Sequence, residues 1–468
     1  MDDRTHAAAS PKSHTLGSRS AGQSPLPLSY RFPCAQNRCG RGEGVRPVSF
    51  DLPRLPVCHV AYAKYPGDPR VRKEVRTLDA SGFALDVLCL RTPGESAVEV
   101  ESGVRIRRLP LEARRGSRLR YAFQYALFFL LVAASLVSSQ LRSRYRIVHV
   151  HSLPDFLVLA ALPSRILGAR LVLDLHESMP EIYRARFPLG NGSLAQILAL
   201  IAQRVACAVA TRVITVNSTI AAILESRGVP KTRITVVENS PDWTYQAASE
   251  PPLGSAPVGI YEIAILGGLN PERDIPSVLE AALRLRDKFR IRWRIIGPGD
   301  PDYVRQLHDE VRARNLEDIV TIEGEVPAKA VAPLISKSTI GIVSYERNPL
   351  TEIATPNKAY EYAIAGKAMV VADLGALRAL LGETVLYYQP GEPIALARNV
   401  ARLLENPLER EKLGEAARAR IEAHRWEVMA GRLVDTYRQC LEGEDQPSPK
   451  GTQHIRSAQT SRRFSGGR

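Results

Sequence analysis

Residues 355–361 read TPNKAYE and combine a helix start, a cation and a carboxylate. Thr355 is a good N-cap, and Pro356 suits the first helical position, where its missing N–H is no loss. Gly366 suits the helix stop, and KAMVVAD around it reads as a buried strand. Free N–H groups at such a helix start attract phosphate, and Lys358 adds positive charge beside them. Asn357 and Lys358 lie closest to the helix start, and Glu361, one turn on, can accept from hydroxyls. These are parts for holding a ligand with a diphosphate and hydroxyls, as a sugar nucleotide has.

Other residues could join that chemistry. Arg273 follows a strand and a Gly-Gly turn in ILGGLNPERD, where a guanidinium can meet a diphosphate. His176 ends the apolar run LVLDLHES and can bond a hydroxyl or steady a reacting centre. His149 and His151 alternate on one strand and so face one side. They could form a metal pair, but no third ligand has a suitable spacing, and no metal is expected there. Asp300 and Asp302 in GPGDPD match an Asp-x-Asp metal pattern, yet aspartate is favoured in such a turn for local reasons. There is no G-x-S-x-G, no Walker loop, and no G-x-G-x-x-G after the first strand. This argues against a serine hydrolase, a P-loop enzyme and a dinucleotide enzyme.

The elements that must position these groups alternate in type. From Leu55, strands such as PVCHVAYA, FALDVLCLR, VRIRRLPL, RIVHVHS, ARLVLDLHES and RVITVNS are separated by helical patterns, among them 68–82, 154–167, 193–211 and 218–227. A Pro/Gly/Ser-rich stretch at 241–259 interrupts the pattern, which then restarts with YEIAILGGL and runs to helices over 392–404, 407–423 and 425–440. Such alternation means α/β folding with parallel sheets covered by helices. The expected organisation is a disordered tail over 1–53, a Rossmann-like domain over 54–245, a linker over 246–259 and a second Rossmann-like domain over 260–424. A last helix over 425–441 and a disordered tail over 442–468 complete the chain. Two such domains make a cleft with strand C-termini facing it, where ligands bind. Strand-end residues are therefore the candidates.

Composition and charge narrow the partners. The 468 residues are 45% hydrophobic and 24% charged, which is globular, and carry a net charge of +14. Residues 102–146 hold ten arginines and one acid, and they surround the apolar run YAFQYALFFLLVAASLV. No nucleic-acid motif accompanies them, so an anionic membrane surface is the expected partner and nucleic acid is not. The run is short for a span and joins two strands of one predicted sheet, which favours a helix buried in the domain or lying in the membrane interface. Residues 1–30 lack the apolar core of a secretory signal. The six scattered cysteines indicate reduced thiols, with no zinc site at Cys34 and Cys39. A cytoplasmic protein, peripheral at the inner face of the plasma membrane, is expected.

The segments YAKYPGDPRVRKEV, VHVHSLPD, LDLHESMPE, VVENSPD, ILGGLNPERDI, NPLTEIATPNKAYEYAIAGKAMVVAD and HRWEVMAGRLVDTYRQ, in this order, resemble the retaining GT-B glycosyltransferases of family GT4. The resemblance runs from about Leu55 to Leu441. It implies two Rossmann-like domains facing a cleft, with a nucleotide-sugar site in the second. Glu361 matches the second glutamate of the family's E-x7-E motif and would bond the ribose. Arg273 matches a cation on the diphosphate, with Lys358 as a further one. His176 matches a histidine near the donor sugar. Gly268, Asn357 and Val326 would line the donor side, and the loop with Gly67, Asp68 and Arg70 the acceptor side. The family's habits imply retention, no metal or other cofactor, and an acceptor hydroxyl that is often lipid-linked. The late helix holding Trp426 would cross back to the first domain. Two positions depart from the pattern: the first glutamate falls at Ile353 beside Glu352, and an expected arginine falls at Gly268. The departures leave room for a non-catalytic, membrane-associated sugar-nucleotide-binding subunit. A nucleotide-sugar epimerase or a phosphorylase would share the plan, but no acid–base set or pyridoxal lysine stands out for either.

Overall fold

The computed structural model describes residues 54–113, 118–186, 193–241 and 259–442. The expected tail over 1–53, the expected tail over 442–468 beyond Glu442, most of the linker, and Cys34 and Cys39 lie outside the described residues.

The first sheet comprises β1 (Pro56–Val60), β2 (Ala84–Leu90), β3 (Val98–Glu101), β4 (Val104–Leu109), β5 (Ile147–His151), β6 (Arg170–Leu175), β7 (Arg212–Thr215) and β8 (Ile234–Val236). Their order is β3-β4-β2-β1-β5-β6-β7-β8, parallel except for the antiparallel β3–β4 pair. The second sheet comprises β9 (Tyr261–Leu266), β10 (Ile291–Ile296), β11 (Val320–Glu323), β12 (Ile340–Val343), β13 (Met369–Ala372) and β14 (Leu386–Tyr388). Its order is β11-β10-β9-β12-β13-β14, and every pairing in it is parallel. Central strands are buried along their length, as IVHVH in β5 and MVVA in β13. Helices cover both faces, which is why these segments are nearly continuous apolar runs.

Several helices differ from the pattern expected of the sequence. Over 154–167 the chain forms a 3-10 turn, Asp155–Ala161, before a short α-helix, Leu162–Ile166. Pro163 falls in the first turn of that α-helix, where its missing N–H is tolerated; one continuous helix would drive its ring into a carbonyl. Helix Asn357–Ile364 starts one residue later than expected, with Pro356 rather than Thr355 at the N-cap and no side-chain cap. The Thr355 hydroxyl instead lies 3.4 Å from Nδ2 of Asn217 in the first domain. Asp300 caps helix Pro301–Ala313 by accepting from the Asp302 and Tyr303 amides, the turn role its setting suggests.

The apolar helix Arg118–Ser143 joins β4 to β5. It buries a stripe of Gln124, Phe128, Val132, Leu136 and Gln140 at four-residue spacing, and exposes Phe123, Leu130 and Leu141 on the other side. By length and composition it is apolar enough to cross a membrane. Its two flanking strands lie in one sheet, so a single crossing would divide that sheet.

The final helix, Trp426–Glu442, packs Met429, Leu433, Tyr437 and Cys440 into a first-domain core with Val57, Val75 and Phe83. The link is polar too. Glu238, just after β8, accepts from the Tyr360 hydroxyl (2.7 Å) and lies 2.7 Å from Nδ1 of His424, at the start of the crossover.

Candidate active site

The second domain builds an anion-ready corner at the end of β9. Gly267 has φ +135°, and a Cβ there would collide with the Arg273 guanidinium; a Cβ on Gly297 would collide with the Gly267 carbonyl. Two strand-end loops thus pack backbone to backbone, and only glycine fits both positions. Gly268 follows with an open flank, a Cβ there meeting only the Pro298 carbonyl at 3.8 Å. The Arg273 guanidinium stacks over the Tyr345 ring, 4.5 Å from its centroid. Val326, beyond β11, is partly buried against the second core.

Helix Asn357–Ile364 faces this corner. Lys358 Nζ donates to Glu361 Oε2 at 2.9 Å, so cation and carboxylate hold each other. The buried Tyr362 hydroxyl donates to the Ala264 carbonyl in β9. Burial raises its pKa, Glu361 adds to the rise and Arg273 opposes it, so both charges act at one place. Ile353, at the motif position where the family places a carboxylate, is buried among first-domain apolar residues. Glu352 turns away, accepting from Arg347 and from the Gly375 amide (2.8 Å).

Across the cleft, the first domain presents His176 at the end of β6, partly exposed. Its Nε2 lies 2.8 Å from Asp174 Oδ2. Arg70 donates to both Asp174 oxygens, from Nε at 2.8 Å and from Nη2 at 2.7 Å. Burial would raise the Asp174 carboxyl, but Arg70 and the neighbouring histidines outweigh it and hold it well below the carboxylate range. Arg70 was placed on the acceptor side by the sequence. In the structure its guanidinium turns inward to Asp174, Glu74 and the Val237 carbonyl (2.9 Å), while the residue borders the cleft cavity. Asp68 caps helix Pro69–Ala80 through the Arg70 and Val71 amides, and Gly67 is exposed in the turn before it.

His149 and His151 do not stand alone as a pair. With His59, Glu74, Asp174 and His176 they form two groups whose donor atoms lie within 4.8 Å of one another, close enough for a metal ion. The missing third ligand comes from other strands and from a helix, which spacing along the chain could not show. Their ring nitrogens already contact one another, Asp174 and Tyr437.

A cavity of about 490 Å³ lies between the halves. Asp68, Arg70 and His176 line it from the first domain, and Tyr345, Ile353 and Asn357 from the second. Ser152, Glu177, Asn217 and Asn239 also line it. Of these, Asn217 was missed although it lies two residues beyond the end of β7, the kind of strand-end position that picked out the other candidates. Its Nδ2 donates to the Ile353 carbonyl at 2.8 Å and ties the two domains across the cleft.

With this geometry in view, comparison with known proteins is direct. Residues 67–240 match the glycosyl transferase 4-like domain, and residues 261–406 match the glycosyl transferases group 1 domain. The chain belongs to the group 1 glycosyltransferases. The transferase shares its fold with sucrose-phosphate synthase of Thermosynechococcus elongatus, at a TM-score of 0.67 and 19% identity, over 83% of this chain and 100% of that one. It is similarly related to Anabaena HepE, solved with UDP and glucose, at a TM-score of 0.60 and 14% identity, over 82% and 100%. These likenesses establish the GT-B arrangement of the transferase. Among curated proteins it is 26% identical over 130 residues to Bacillus subtilis TuaH, whose name assigns it to teichuronic acid biosynthesis as a glycosyltransferase. That match spans 28% of the transferase and 31% of TuaH.

Proposed function

We propose that this glycosyltransferase moves a sugar from a nucleotide-diphosphate donor to a hydroxyl acceptor, carried on a lipid or a growing surface polysaccharide, with retention and without a metal. The observation that carries this reading is the facing of two unlike walls. Tyr345, which carries the Arg273 guanidinium on its ring, and the start of helix Asn357–Ile364 line the cavity on one side, and His176 lines it on the other. Anabaena HepE, of the same fold, was solved with UDP and glucose, which supports a nucleotide-sugar donor.

Breaking the bond from the anomeric carbon to the diphosphate leaves negative charge on the departing oxygen. Arg273, Lys358 and the uncapped helix start stabilise that charge, and they take the place of a metal. The acceptor hydroxyl attacks the anomeric carbon from the face that the diphosphate leaves. Its proton passes to the departing phosphate oxygen, so configuration is retained and no protein nucleophile is needed. Glu361 bonds the ribose, which requires Lys358 to exchange part of its contact with Glu361 for the diphosphate. Closure of the cleft excludes water, the competing acceptor.

The reaction takes place at the cytoplasmic face of the plasma membrane. Helix Arg118–Ser143 and helix Leu194–Val209 both pack on Asp155–Ala161 and flank it. The second helix exposes Leu194, Ile197, Leu198, Ile201 and Val205, so it adds an apolar face that the sequence reading had not assigned to the membrane. The arginines around the first helix supply attraction to anionic lipid.

The test is thermal stabilisation by UDP-, GDP-, ADP- and CDP-sugars, for the native protein and Glu361→Ala. A ligand that binds only the folded state raises the melting temperature. A shift with one nucleotide series, lost in the variant, is expected. Ile353 and Gly268 favour a second reading, a subunit that binds sugar nucleotide without transfer; a thermal shift with no turnover on any acceptor would support it.

A further inference from the structure

Behind the cleft lies a buried polar cluster that the transfer step does not use. His59 on β1, His149 and His151 on β5, Glu74 on helix Pro69–Ala80 and Tyr437 on the final helix are all buried. Their contacts form a file that branches at its outer end, where His151 Nδ1 also lies 3.1 Å from His176 Nε2. His151 Nδ1 lies 3.1 Å from Asp174 Oδ2, and His151 Nε2 lies 3.0 Å from His59 Nδ1. His59 Nε2 lies 3.1 Å from the Tyr437 hydroxyl, which lies 2.8 Å from His149 Nδ1. His149 Nε2 ends the file, 3.7 Å from Glu74 Oε2 and without a hydrogen-bond partner.

The charge at the outer end sets the favoured order of protons along the file. Asp174 is ionised and only accepts, so its buried charge is best met when His151 Nδ1 and His176 Nε2 both carry protons and both donate to Oδ2. Burial keeps the rings of His59, His149 and His151 neutral. His151 Nε2 is then a lone pair and accepts from His59 Nδ1–H. His59 Nε2 accepts from the Tyr437 hydroxyl, whose oxygen accepts from His149 Nδ1–H. His149 Nε2 is left as a lone pair facing Glu74. Burial pushes the Glu74 carboxyl up against the pull of Arg70, which favours a proton at that end of the file. The opposite direction would take the His151 donor away from the ionised Asp174 Oδ2 and make His176 Nε2–H share its proton between Asp174 Oδ2 and His151 Nδ1, at 2.8 and 3.1 Å.

We propose that Tyr437, His59 and His149 form a one-way hydrogen-bond file that locks the His151 proton onto Asp174 and so holds the Asp174–His176 pair in one arrangement at the cleft. Tyr437 reaches His176 only through other residues and is a positioning residue. The final helix therefore does more than strap the domains together: it supplies the one hydroxyl that connects two histidines of neighbouring strands. The inference rests on the transferase reading for its consequence, but its geometry can be tested apart from turnover.

The experiment uses the full chain labelled with 15N-histidine. Long-range proton–nitrogen correlation reads the tautomer of each ring, assigned by single His→Gln variants. His59, His149 and His151 are expected neutral with the proton on Nδ1, the less common form in water, and His176 with it on Nε2. Tyr437→Phe breaks the file between His149 and His59. It is expected to lower kcat about tenfold while leaving the donor KM within about twofold, as losing one neutral hydrogen bond to the reacting geometry would. Any of the three rings with its proton on Nε2, a charged ring among them, or a stoichiometric metal by elemental analysis would overturn the proposal; so would an unchanged kcat in Tyr437→Phe. Should that variant not fold, the native spectrum decides alone. Should no acceptor be turned over, the tautomers still judge the file, and only the transferase reading fails.

Discussion

Asp155 offers a quantitative test of the polar interior beneath the apolar helix Leu194–Val209. Its carboxyl is fully buried, with Gln203 Nε2 from that helix donating to Oδ2 at 3.3 Å and Oδ1 left without a partner. Burial pushes its pKa from 3.8 to about 7, with Gln203 opposing the rise and Glu181 adding to it. The folded state thus holds this proton more tightly than the unfolded chain. The resulting stability is fully present below the unfolded value and is lost as pH rises through 7. Roughly three pH units separate the two values, at about 1.4 kcal/mol each, so the native protein forgoes about 4 kcal/mol above neutrality. Asp155→Asn keeps the shape and the Gln203 bond but cannot ionise. Urea unfolding of both proteins from pH 4 to 8.5 measures the difference, in which other titrations cancel. The variant is expected to match the native protein near pH 4, gain on it up to pH 7 and stay about 4 kcal/mol ahead beyond. A difference that stays flat with pH would refute the reasoning.

Two further outcomes follow from the cleft and the surface. Arg273→Met and Lys358→Met each remove a charge-assisted bond to the leaving diphosphate, about 1.5–3 kcal/mol, and should each lower kcat/KM by about tenfold to a hundredfold in steady-state assays. Unaltered kinetics in Lys358→Met would remove that residue from the site. Replacing Phe123, Leu130 and Ile201 together by glutamate removes three apolar contacts of about 1.5–3 kcal/mol each. Partitioning onto phosphatidylglycerol vesicles should fall at least about a hundredfold by sedimentation, with an unchanged melting temperature, and equal binding by native and variant protein would refute the membrane face.

Much of the fold was legible because parallel strands covered on both faces must be apolar throughout, and such runs are visible in RIVHVHS, ARLVLDLHES and KAMVVAD. Glycine at 366 and the Asp300 cap are equally local, since each meets a need within one turn of chain. Strand β3 and two short helices, Met179–Arg186 and Gly375–Leu381, escaped the reading. Strand β3, VEVE, is exposed at every residue and carries no burial pattern. Helix Gly375–Leu381 has a single turn or two between a strand and a turn, too short for a period to show.

The donor-side residues could be named from local order, because a strand end, a glycine turn and a helix start are neighbours in sequence. The histidine file could not. His59, Glu74, His149, Asp174 and Tyr437 span most of the chain, and their meeting depends on strand order. The order β1-β5-β6 sets His59 level with His149 and His151 level with Asp174, and so brings all four to neighbouring strands. Arg70 shows the same divide. Its place after a glycine turn announces an exposed cation, whereas the sheet behind it provides an ionised aspartate in a dry interior. A buried charge must be paired, so the guanidinium turns in. Residue types and spacing thus determine which segments become strands, helices and ligand loops. Which side chains share a proton, and which charges remain free to meet a substrate, is set by packing between segments distant in sequence.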